Sequence, residues 1–188
     1  MARRTRLLTP PELAVEVSAW LAGAGIQHAI GGAIAFGFHA EPRGTLDVDM
    51  NVFVAADAPE VALQALADHG VRVDFAEASR AIASRGDLFL EHRGCRLDLF
   101  FNSIPFQEAA SRRTREVVLL GRRVPILSAE DLVVLKLLFN RHKDIVDIER
   151  LLETSAQGLD ADYIRRWLIE CVGVDDSRVA TWDSLLES

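Results

Sequence analysis

From Asp47 to Val54 the chain alternates without interruption. Asp47, Asp49, Asn51 and Phe53 point one way, while Val48, Met50, Val52 and Val54 point the other. A period of two is the signature of a β-strand, here with one apolar face and one polar, charge-bearing face. The same pattern returns from Cys95 to Phe101, where Arg96, Asp98 and Phe100 share a face and Leu97, Leu99 and Phe101 oppose them. That second strand closes a hairpin starting at Asp87, turning at the two residues Arg93-Gly94.

Helix signals surround these strands. Thr9 is a good N-cap, Pro10 suits the first helical position and Glu12 completes a capping box; Leu13, Val17, Trp20 and Leu21 follow at helical spacing, and Gly23 and Gly25 end the run. His28 to Ile30 reads as a short strand leading into Gly31-Gly32, and Ala33 to Phe36 as a short helix. Asp57 is expected to cap a helix carrying Val61, Leu63 and Leu66, closed by Gly70, with a further strand from Val71 to Phe75. A helix near Phe106 to Arg113 and a strand pair near Val117 to Ile126 come next. From Ser128, which forms a second capping box with Asp131, the pattern is helical: one helix from Leu132, then Ile145 to Leu152, Ala161 to Cys171 and Val174 to Leu186. Mixed elements followed by helices alone predict an α+β fold. We expect a core over residues 1–127, a mixed β-sheet flanked by helices, with a helical C-terminal segment over 128–188 packed on it.

Composition narrows the function classes. The 188 residues are 49% hydrophobic and 26% charged, ordinary for a globular chain, and the net charge of −7 argues against a protein that coats nucleic acid generally. A polynucleotide would have to use a local patch such as Arg112, Arg113, Arg115, Arg122 and Arg123. No run of 18 apolar residues occurs, so no membrane partner is expected. The basic start, Met1 to Arg6, has no apolar region behind it, and Cys95 and Cys171 lack metal-ligand spacing; both features fit a cytoplasmic protein with free thiols. His28, His39, His69, His92 and His142 likewise show no ligand spacing, and Trp20, Trp167 and Trp182 fall on amphipathic helices as core residues.

Asp47 and Asp49 lie about 6.6–6.8 Å apart along one strand face. Like charges at that spacing repel unless a cation sits between them, and hard carboxylate oxygens suit magnesium. Asp98, on its own one-faced strand, could complete a three-carboxylate cluster able to hold two metals. Taken alone, an Asp-x-Asp pair reads as a solvated strand face, and a Gly-Gly pair as a plain turn. Here the glycines stand between a strand-like and a helix-like run, where they let the backbone approach a ligand and leave free N–H groups for phosphate.

Gly31-Gly32 followed by Arg43-x-Thr45-x-Asp47-x-Asp49 closely resembles the signature of the nucleotidyltransferase (polymerase-beta-like) superfamily. Asp98, within Arg96-Leu97-Asp98-Leu99-Phe100, resembles the third carboxylate of that family. Ser128 to Lys136 is similar to a helix start in the small prokaryotic branch that includes AbiEii-type toxins of type IV toxin–antitoxin systems. The resemblance runs from about residue 25 to 153. It implies that Gly31 and Gly32 position a triphosphate, and that Asp47, Asp49 and Asp98 bind Mg2+ or Mn2+. Asp98 would also deprotonate an acceptor hydroxyl.

The helix after Ser128 is apolar nearly all round except for Lys136, Asn140, Lys143 and Asp147, which fall on one stripe of a continuous helix. Lys136 needs a partner there, either a triphosphate or a core carboxylate; Lys143 is expected to pair with Asp147, and Arg141 and His142 to lie on the surface. Arg43 and Thr45 extend the Asp47 face, with Arg43 meeting a phosphate or neutralising the acidic cluster. The expected reaction moves a nucleoside monophosphate from a nucleoside triphosphate to an acceptor hydroxyl of tRNA, a protein or a small molecule, with a cognate toxin or antitoxin as a protein partner. A nucleotide-binding or partner-binding module without transfer is the alternative. A metal-dependent glycosyltransferase also uses Asp-x-Asp, but no βαβ series precedes it here.

Overall fold

A computed structural model describes residues 6–154 and 158–187. The basic start of the chain, residues 155–157 and Ser188 lie outside the described residues, including the part of the expected 128–188 segment that falls on them. The elements are α1 (Pro10–Gly23), β1 (His28–Ile30), α2 (Gly32–Phe36), β2 (Asp47–Ala55), α3 (Glu60–Ala67), α4 (Phe75–Arg85), β3 (Asp87–His92), β4 (Cys95–Asn102), α5 (Pro105–Ser111), β5 (Arg115–Leu119), β6 (Arg122–Ile126), α6 (Ala129–Phe139), α7 (His142–Thr154), α8 (Ala161–Val172) and α9 (Ser177–Glu187). The strands form one sheet in the order β3-β4-β2-β1-β6-β5. β2 runs parallel to β4 and β1 parallel to β6, while the remaining pairs are antiparallel. The fold is α+β: a mixed six-stranded sheet flanked by helices.

The alternation in β2 and β4 works as its period requires. Val48, Met50, Val52, Leu97, Leu99 and Phe101 are fully buried, and α1 packs against β1, β2 and β6. Helix α1 starts where its signals place it, with the Thr9 amide and hydroxyl both donating to Glu12 Oε2, at 2.9 and 3.0 Å. Arg93 and Gly94 adopt φ of 50° and 77°, the two left-handed residues that a tight antiparallel hairpin needs. Both cysteines are free. Trp182 is fully buried, whereas Trp20 and Trp167 are only partly so and pack against the core.

Four expectations fail for identifiable reasons. Val71 to Phe75 is not a strand: the Val71 amide closes the end of α3 on Leu66 O, and Asp74 caps α4 by accepting from the Glu77 amide at 3.0 Å. That cap competes with the short apolar alternation and wins, giving a helix the sequence reading omits. Asp57 does not cap α3, which begins at Glu60 behind Pro59. Val61, expected on the packed side of that helix, is exposed. The continuous polar stripe after Ser128 does not exist either, because Asn140 takes a left-handed φ of 50° and ends α6 before α7 begins at His142. Asparagine tolerates that conformation better than most residues and is a known helix terminator.

Candidate active site

Register sets the geometry of the carboxylates. β2 and β4 pair in parallel with Asp49 opposite Asp98 and Asp47 opposite Arg96. Strands in a sheet lie about 4.8 Å apart, so the three aspartates share one patch of the sheet face that does not carry the Val48, Met50 and Val52 row. Asp98 is buried and Asp47 and Asp49 are partly so. Burial, then repulsion from Asp47 and Asp98, pushes the Asp49 carboxyl up to about 6, with Lys136 and Arg141 offsetting part of the effect. Thr45 donates its hydroxyl to Asp47 Oδ1, and Arg96 Nε donates to Asp98 Oδ1 at 2.6 Å. Each outer aspartate therefore has a neighbour of its own, and among the described residues no three His, Cys, Asp or Glu side chains close on one metal-sized point.

The glycines sit directly against this row. The Gly31 amide donates to Asp49 O at 2.8 Å and extends the β1–β2 ladder. Gly32 has φ of 53°, and a Cβ there would lie 1.7 Å from Asp49 Oδ2. No side chain fits at that position, so Gly32 is required first by the Asp49 carboxylate itself. At Gly31 a Cβ would meet Asn51 Nδ2 at 2.7 Å. The pair thus brings bare backbone to the edge of the carboxylate row.

Positive charge comes from the break between α6 and α7, which turns α7 back toward α6. Asp147, whose side chain is 2% exposed, accepts from Lys136 Nζ at 2.5 Å and from Arg43 Nε and Nη2 at 2.9 and 2.8 Å. Burial would raise the Asp147 carboxyl, but these hydrogen bonds outweigh it and hold the group below the usual carboxylate range. Asp144, also buried, lies 3.9 Å from Lys136 and binds Arg141 Nε at 2.6 Å. The Lys136 ammonium also stands 5.5 Å from the centre of the Phe36 ring on α2. Lys136 and Arg43 therefore take the core-carboxylate option, both on Asp147, and Lys143 does not take that partner.

Sequence reasoning brings together Gly31, Gly32, Thr45, Asp47, Asp49 and Asp98 as the structure does. It misses Asp144 and the role of Asp147 as anchor of two cations, while Arg141 lies on the surface as expected. The Arg141 side chain is 54% exposed, yet it bonds to Asp144 and contributes to the field at Asp49. The overlooked signal is Asn140, the first polar residue after an apolar helical run and a natural stop.

Carboxylate oxygens of the type that hard divalent cations take lie on one face, and Asp49 is raised well above its ordinary value chiefly by burial and then by Asp47 and Asp98. The Lys136 ammonium and the Arg43 guanidinium stand in the same neighbourhood, both bonded to Asp147.

No family model and no curated protein matches the sequence. Solved structures match in shape. The structure of ANT(2")-Ia in complex with adenylyl-2"-tobramycin is similar at a TM-score of 0.58 and 14% identity, over 93% of this chain and 97% of that one. A candidate nucleotidyltransferase from Thermotoga maritima reaches a TM-score of 0.50 at 14% identity, over 89% and 99% of the two chains. At such identities the likeness shows the fold alone, which this chain shares with both structures.

Proposed function

We propose that this chain transfers a nucleoside monophosphate from a nucleoside triphosphate to an acceptor hydroxyl, releasing pyrophosphate. The observation that carries the reading is the shared face of Asp47, Asp49 and Asp98 beside Gly31-Gly32, with Asp49 raised by burial and then by its acidic neighbours. Magnesium or manganese held by the three aspartates would supply Lewis-acid stabilisation of charge on the reacting phosphoryl group. In this reading Asp98 would take the proton of the acceptor hydroxyl. Gly31 and Gly32 let the phosphates approach the backbone, and Lys136 and Arg43, oriented by Asp147, supply charge for the triphosphate. Such catalysis rests on positioning and preorganised electrostatics. In this reading residues 1–127 are the catalytic core, and the helical segment 128–188 contributes Lys136. The resemblance to AbiEii-type proteins supports a toxin–antitoxin role with tRNA or a protein as acceptor; the likeness to ANT(2")-Ia, solved with adenylyl-2"-tobramycin, supports a small molecule. Among the described residues no helix is long and apolar enough to cross a membrane.

The Arg96–Asp98 pair favours a second reading, since a carboxylate already bonded at 2.6 Å is a less available base. A binding module without transfer would keep its nucleotide affinity when Asp98 is removed. The deciding experiment incubates the protein with α-labelled nucleoside triphosphates, magnesium and cell extract, beside Asp47→Ala and Asp98→Ala. Label entering RNA, protein or a small molecule only with the wild type supports transfer. Magnesium-dependent nucleotide binding by wild type and Asp98→Ala alike, with no label in any fraction, supports the module.

A further inference from the structure

Two half-exposed phenylalanines stand near Asp98, Phe89 across the β3–β4 ladder from it and Phe139 against Phe100 further along β4. Phe139 and Phe89 are 49% and 48% exposed, more than any other phenylalanine in the chain. Phe89 stands opposite Asp98 in the β3–β4 ladder and so shares its face. Phe139, the last residue of α6, meets Phe100, two residues beyond Asp98, edge to face with ring centres 5.8 Å apart. Each exposed ring also carries a guanidinium: Arg96 lies 4.7 Å from the centre of Phe89, and Arg141 lies 4.9 Å from that of Phe139. A phenyl ring left half in water forgoes much of the burial that ordinarily places it in a protein. Two such rings beside one carboxylate row suit a ligand with a flat face.

Position separates their roles. Phe139 follows Lys136 by three residues on the same helix, so the two lie one turn apart on one side of it. Arg141, stacked on Phe139, contributes to the field at Asp47 and Asp49. Phe89 lies on the edge strand β3, at the end of the sheet away from β1 and the glycines. A nucleoside whose phosphates reach Lys136 therefore brings its base to Phe139 rather than to Phe89.

Resting on the nucleotide reading of the site, we propose that Phe139, backed by Phe100 and paired with Arg141, is the stacking platform for the base of the bound nucleoside triphosphate. Every base presents a π face, so the platform favours none strongly.

Titration calorimetry with ATP and with inorganic tripolyphosphate, each with magnesium, tests this on wild type, Phe139→Ala, Phe139→Trp and Phe89→Ala. Loss of one base–aromatic stack is expected to weaken ATP binding to Phe139→Ala by about tenfold or more. Tripolyphosphate should bind that variant as it binds wild type, which also shows that the site is folded. Phe139→Trp should retain ATP affinity, and Phe89→Ala should not alter it. Unchanged ATP affinity in Phe139→Ala, an equal weakening of both ligands, or a loss confined to Phe89→Ala would overturn the platform. Wild type that binds neither ligand would instead overturn the nucleotide reading itself.

Discussion

Asp49 concentrates the conflict between stability and chemistry. Its carboxyl rises from 3.8 to about 6, chiefly through burial and then through Asp47 and Asp98. A folded-state value above the unfolded one means that stability is fully present below about 3.8 and falls as pH rises through about 6. At pH 7.5 the ionised group therefore destabilises the fold by up to about 3 kcal/mol, at 1.36 kcal/mol per unit. Asp49→Asn is predicted to melt at higher temperature than wild type at pH 7.5, with the gap shrinking as pH falls below 6, while activity is lost. Thermal melts across that range check it, and a gap independent of pH would contradict the assigned cause. At Gly32, any side chain must adopt a left-handed φ and collide with Asp49 Oδ2. Gly32→Ala should lower the melting temperature and abolish metal-dependent nucleotide binding together, measurable by thermal shift with and without magnesium and ATP.

At the scale of elements, the joint between α6 and α7 determines which charges meet. Strands β2 and β4 were legible because a period of two has one physical meaning, and α1 because its cap, proline and glycines agree. The joint was not, because Lys136, Asn140, Lys143 and Asp147 also fit an uninterrupted helix at spacings of four, three and four. Only the left-handed Asn140 turns α7 back, giving Asp147 to Lys136 and Arg43 instead of Lys143. For the same reason no periodicity could identify the long-range partner of Arg43, 104 residues away. Breaking a buried ion pair leaves an uncompensated charge, so Asp147→Asn should cost about 3–5 kcal/mol in urea unfolding. The double variant Lys136→Met/Asp147→Leu should regain much of that stability but no activity. A double variant as unstable as the single one would show that the segment is held by something other than this pair.

Across the whole molecule, Arg113 of the sheet-bearing part reaches a buried cluster that joins α6 to α8 in the helical tail. Tyr163 on α8 donates to Asp131 Oδ1 at 2.6 Å, Ser128 donates to Asp131 Oδ2 at 2.7 Å, and Arg113 lies 4.1 Å from the Tyr163 ring centre. Burial raises the Asp131 carboxyl despite those hydrogen bonds, so each donor matters. Tyr163→Phe should destabilise the protein by about 1–3 kcal/mol in chemical denaturation, the cost of an unsatisfied buried acceptor. The α+β order was legible in the switch from mixed to purely helical patterning, whereas this cluster joins residues 113, 131 and 163 that share no local pattern. The central claim concerns the fate of a phosphate, and paired labels test it most directly. Given ATP labelled at the α or the γ position, with magnesium and cell extract, the wild type should place α label, and not γ label, on an acceptor, and Asp47→Ala and Asp98→Ala should place none. Transfer of γ label, or α-label transfer that persists in both variants, would contradict nucleotidyl transfer by this carboxylate row.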